Sequence, residues 1–147
     1  MSSFQVAAGD RILDPMIKLA GCSTQHRIVV AGSKSTELMV ELQRRGYLRA
    51  VSTGNCGRPV GEYDVALVDW RRRTQLALET TLDWLVNFLS PRAMLVVWVE
   101  AQKQAANQSL RAVLEKRGFM IESGLVHECG CALAARRLQI HPIQQAA

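Results

Sequence analysis

No stretch of this chain is apolar for long enough to span a bilayer. The first thirteen residues mix Gln5, Asp10 and Arg11 with apolar side chains, so neither a spanning helix nor a signal peptide is read there. A soluble, cytoplasmic protein without a membrane partner is the expectation. Histidine is scarce, with His26, His127 and His141 too scattered to argue a Ser/His/Asp arrangement. Cysteine is scarce too. Cys22, Cys56, Cys129 and Cys131, in a chain with no export signal, read as reduced thiols and not as a disulfide framework. Low-complexity runs and internal repeats are missing, which with 48% hydrophobic and 21% charged residues excludes disordered and fibrous classes. Acidic charge is the sign in deficit: 13 Asp and Glu face 18 Lys and Arg, for a formal net charge of +5. That balance favours small anionic ligands; nucleic acid is not indicated beyond the charge itself.

What is present is an alternation of apolar runs and amphipathic stretches over 147 residues, the size of one domain. Residues 1–26 read as an N-terminal extension with a short helix, Asp14 at its N-cap, Pro15 at its first helical position and Gly21 as its terminator. "RIVVA" (27–31) is a buried strand, followed by a helix capped by Ser35 or Thr36 with Leu38, Met39 and Leu42 on one face. "LRAVST" (48–53) is a second strand, and "GNCGRPVGE" (54–62) a loop. Val65–Val68 is a third strand, apolar on both faces as a central parallel strand is. A helix with Leu78, Leu82, Leu85 and Leu89 comes next, closed by Pro91. "AMLVVWV" (93–99), a helix around 107–117, and a hairpin of strands near 119–127 and 131–139 complete the chain. The fold class is therefore α/β: a three-layer Rossmann-like sandwich, mostly parallel, with a C-terminal antiparallel hairpin. Ligands in such sheets sit beyond the carboxyl ends of the strands where the strand order reverses, here a crest near residues 32–35, 53–55, 69–72 and 99–102.

The pieces "YDVALVDW", "LSPRAMLVVWV", "LRAVLEKRGFMIESG" and "CALAARRL", spanning Tyr63 to Leu138, together resemble the second half of a class I S-adenosylmethionine-dependent methyltransferase. That resemblance implies a cofactor site built from Gly32, Ser33, Asn55 and Asp69. The first half departs from the family. Of its glycine-rich loop only Gly32 stands, neutral side chains occupy 53–55 where an acidic residue would hold the cofactor ribose, and the helix and strand that follow the second strand are missing. A β-carbon at Ser33 or Lys34 crowds a cofactor, and Asn55 satisfies a ribose diol only in part. Asp69 is followed by Trp70 and three arginines instead of a catalytic motif, so a strand-end aspartate capping the next helix is the preferred reading, and no catalytic residue is assigned.

Two other readings compete for the opening turn. "GSKST" has the wrong spacing for a phosphate-binding P-loop. A degenerate receiver with Asp69 as phosphoacceptor lacks the acidic pair that would hold magnesium. His127, Cys129 and Cys131 supply three ligands for a metal that needs four, so no metal site is assigned. Trp70, Trp84 and Trp98 read as packing residues, and Arg44, Arg45, Arg136 and Arg137 as solvated pairs. The reading is a methyltransferase-like domain with a decayed cofactor loop, a non-catalytic binding or interaction module, with an active methyltransferase as the alternative. A homodimer that buries an uncovered sheet edge is expected. An anion held at the crest by Lys34, Ser35, Arg71 and Arg72 is set against three arginines at 71–73 that simply begin the next helix in solvent.

Overall fold

The computed structural model describes residues 3–32, 34–53, 63–70, 74–100, 104–127 and 130–137. In chain order these residues form α1 (Ser3–Ala20), β1 (Ile28–Gly32), α2 (Ser35–Arg44), β2 (Ala50–Ser52), β3 (Tyr63–Asp69), α3 (Gln75–Leu85), β4 (Leu89–Glu100), α4 (Gln104–Lys116), β5 (Phe119–His127) and β6 (Gly130–Arg137). They build one six-stranded sheet of order β2-β1-β3-β4-β6-β5, parallel from β2 to β4 and antiparallel through the β5–β6 hairpin.

The apolar runs follow from covering this sheet on both sides, since successive side chains along a strand point to opposite faces. Ile28 and Val30 of β1, Leu67 of β3 and Val96 and Trp98 of β4 pack under α1 and α2 with Ile12, Leu13, Met16, Leu38 and Leu42. Val29, Ala31, Val68, Leu95 and Val97 face the other way, onto Leu78 and Leu82 of α3 and Leu110 and Leu114 of α4. The expected three-layer sandwich is thus the one observed.

Several boundaries differ from the sequence reading. α1 begins at Ser3, with Pro15 inside it, and Asp14 is no cap: its exposed carboxylate pairs with Arg45 at the end of α2. Burial of Ile12, Leu13 and Met16 on the sheet carries the helix past the hydrogen bond that a proline removes. α3 ends at Leu85, where Asn87 and Phe88 donate three residues back, to Trp84 and Leu85. Leu89 opens β4, and Pro91 lies within that strand where its pairing with β3 shifts register, an irregularity that tolerates a residue without an N–H.

The two sheet edges are built differently. Ile28 N–H bonds the Arg49 carbonyl and Thr53 N–H the Val30 carbonyl, so these β2-side residues face β1 and Ala50 faces outward. Both outward groups of Ala50 are satisfied within the chain: its N–H donates to the Tyr47 carbonyl at 3.2 Å, and its carbonyl accepts from the Gln43 amide at 3.0 Å. β2 is also short, a second way of blunting an edge. At the far edge β5 is nine residues long and pairs with β6.

Candidate functional site

The chain leaves β1 through α2 to β2 on one side of β1 and returns to β3 on the other. The strand order therefore reverses between β1 and β3, and their carboxyl ends define the crest. Gly32 and Asp69 close these two strands in register with one another. Gly32 has φ of +108°, and a β-carbon there would lie 2.1 Å from the Asp69 carbonyl oxygen. Its missing side chain is therefore spent on the approach of two strands. The Asp69 side chain is fully buried.

Beyond Asp69 the chain is pinned. Trp70 donates its N–H to the Trp98 carbonyl at 2.9 Å and its indole Nε1 to the Thr74 carbonyl at 3.1 Å. Thr74 takes the cap of α3, its Oγ1 accepting from Ala77 N–H at 3.1 Å. This corrects the reading of Asp69 as the cap: five residues separate it from the first turn, and a threonine at the boundary does the work. α3 starts at Gln75, after the three arginines rather than with them. Thr74 was legible as a helix-capping residue type, but the charged run before it drew the boundary too early.

On the other side of the crest, Lys34 occupies the cap position of α2 with φ −124° and ψ 38°, and no side chain among the described residues caps the helix. Ser35 is its first helical residue, so the expected Ser35 or Thr36 cap is corrected. The Lys34 ammonium lies 3.7 Å from the Glu37 carboxylate one turn along, and both side chains are exposed. The structure thus brings Gly32 and Asp69 side by side and sets Lys34 and Ser35 at the start of the helix that follows. Ser33, Asn55, Arg71 and Arg72 lie outside the described residues, as do Cys56 and Cys129.

A second close approach, at Gly130, escaped the sequence reading, which saw only a turn. A β-carbon there would lie 2.3 Å from the Val99 carbonyl oxygen and 2.9 Å from Trp98 Nε1, so the start of β6 fits closely over the end of β4. Among the described residues no group of three His, Cys, Asp or Glu is placed to hold a metal, and Cys22 and Cys131 are free thiols. Burial pushes the Cys22 thiol up to about 12. Trp98 and Trp70 pack inside as expected, whereas Trp84 is 37% exposed.

No family model matches the chain, and no curated protein does. Solved structures do match. A Burkholderia thailandensis 1,6-didemethyltoxoflavin-N1-methyltransferase, crystallised with S-adenosylhomocysteine, shares 12% identity over 90% of this chain and 79% of its own, with a TM-score of 0.60. The [4+2]-cyclase SpnF aligns at a TM-score of 0.62 with 12% identity, over 89% of this chain and 82% of its own. A Pseudomonas syringae protein described as a putative methyltransferase aligns at 0.57 with 16% identity, over 87% of this chain and 98% of its own. At such identities the likeness speaks of architecture, and the cyclase among these structures is a reminder that one architecture carries more than one reaction. The chain has the α/β fold of the class I S-adenosylmethionine-dependent methyltransferases.

Proposed function

We propose that this is a methyltransferase-like domain that no longer takes S-adenosylmethionine at its crest and acts as a non-catalytic binding module. The observation that carries the reading is Gly32. It is the single glycine of the β1–α2 turn, and the space its missing β-carbon leaves is filled by the Asp69 backbone and not open to a ligand. The next described residue is Lys34, whose charge is answered by Glu37. The sequence carries no acidic side chain at 53–55 to accept a ribose diol. These features speak against S-adenosylmethionine at the crest. A thermal-shift series with S-adenosylmethionine and S-adenosylhomocysteine tests this. An unchanged melting temperature agrees, and a rise that grows with ligand concentration, as binding to the folded state demands, restores the enzyme reading.

The same proposal takes a second copy of the chain as a partner. β5, unlike β2, presents a long edge that no other described strand pairs, and an antiparallel strand can meet its own copy across a two-fold axis. Light scattering at high concentration is expected to give twice the monomer mass; a strict monomer removes this part.

A further inference from the structure

The end of the sheet opposite the crest gathers cations and an exposed aromatic ring. The directions of the elements put them there. The parallel strands start at this end, so Arg49 stands just before β2, one residue ahead of the Ile28–Ala50 register pair. α1 and α2 finish here, with Lys18 and Arg44 in their last turns. The register shift between Tyr63–Leu89 and Val65–Met94 places Arg92 in the irregular opening of β4 at the same end. All four side chains belong to exposed residues; Lys18, Arg49 and Arg92 form no ion pair among the described residues, Arg49 donates to the Gln25 carbonyl at 3.4 Å, and Arg44 is paired with Glu41 at 3.4 Å. Helix dipoles account for cations at helix ends, hence for Lys18 and Arg44, but not for Arg49 and Arg92 at strand starts.

An independent feature lies at the same end of the strands, on the face of the sheet that α3 covers and not the one under α1 and α2. α3 also finishes at this end, and its Trp84 rests on Phe88 with ring centroids 4.0 Å apart while remaining 37% exposed. Phe88 in turn backs onto Tyr63 at 6.1 Å. Arg49 and Arg92 start three strands apart in the sheet, about 14 Å at the usual strand spacing. One small anion does not reach across that gap, whereas a chain of phosphates does. Cations that follow a phosphate backbone and a partly exposed aromatic ring are the two components that hold unpaired nucleotides. A duplex keeps its bases stacked internally and leaves the ring unused.

We propose that this end of the molecule binds single-stranded nucleic acid through Lys18, Arg49 and Arg92, with Trp84 stacking on a base. The proposal stands independently of the crest, which lies at the other end of the strands, so a failure here leaves the reading of the crest untouched and the reverse holds too. The test is fluorescence anisotropy of labelled single-stranded RNA and DNA oligonucleotides with the intact chain across a salt series. Both strands are tried because they share phosphates and bases; binding of either supports the proposal and the tighter names the source. Arg49→Ala with Arg92→Ala lowers the log–log salt slope by about 1.4, from two lost phosphate contacts. Trp84→Ala weakens binding about tenfold and leaves the slope alone. Arg49→Lys with Arg92→Lys retains the slope, which separates lost charge from lost folding. Absence of binding at the lowest salt, a matched duplex bound as tightly as the single strand, or a slope that responds to Lys34→Ala and not to the Arg49/Arg92 pair overturns it.

Discussion

One missing β-carbon, at Gly32, lets the ends of β1 and β3 approach closely. The sequence shows that glycine plainly, and the family resemblance lends it to a cofactor. Only the register with Asp69 reveals that its space is used within the sheet, because the partner lies 37 residues away and leaves no local mark. Gly32→Ala meets the Asp69 backbone and a positive φ at once, and is expected to destabilise the fold by roughly 2–4 kcal/mol in chemical denaturation. A loss below about 0.5 kcal/mol, the range of neutral surface changes, would show that the two strands are not so close. Cys22 makes a separate prediction. Its thiol is raised from 9.0 to about 12 by burial, so stability is unaffected by this group below pH 9 and is withdrawn as the pH rises from there toward 12, where the unfolded thiol ionises and the folded one does not. Denaturation midpoints in that window should fall less steeply for Cys22→Ala than for the parent chain; identical slopes would exclude the group.

Elements were legible wherever their apolar pattern had one cause. Residues 27–31, 65–68 and 93–99 read as continuous runs because both faces are covered, and they fall on β1, β3 and β4 with the ends of each strand missed by one residue or more, whereas β5 was bounded to the residue by Gly118 and the turn near Gly130. Leu89 misled because a residue buried in the same core leaves the same periodic mark from a strand as from a helix. The length of α1 was illegible for a different reason: a proline reads as a start, and the packing that overrides it comes from strands far along the chain. Long-range ties between helices are equally silent in sequence. Arg117, just beyond α4, bonds Asp83 at 2.7 Å and Glu79 at 3.3 Å on α3. The Arg117 hydrogen bond holds the Asp83 carboxyl below its ordinary 3.8. Its contribution is therefore present above that value and lost as the pH falls below it. Acid unfolding of Asp83→Asn should begin from a lower baseline with a shallower acid limb, and an acid limb identical to that of the parent would show the pair to be inert.

At the scale of the whole molecule, six strands form the sheet, and β2 is its edge on the side where the resemblance calls for a further helix and strand; among the described residues neither has a counterpart. That shortening was legible from the spacing between the second and third apolar runs, and no helix of the described residues is long and apolar enough to cross a membrane. The crest was legible as a place, since strand order and chain direction fix it, but not in what fills it, because the Asp69 backbone that takes the space beside Gly32 comes from a strand 37 residues further along. The basic end opposite was illegible: its residues are far apart in sequence and meet only through the strand and helix directions. The central claim is that the fold has been kept and its cofactor crest has not. Titration calorimetry of the intact chain with S-adenosylmethionine measures this directly: the account predicts no binding heat up to millimolar ligand, and a saturable isotherm in the micromolar range would contradict it.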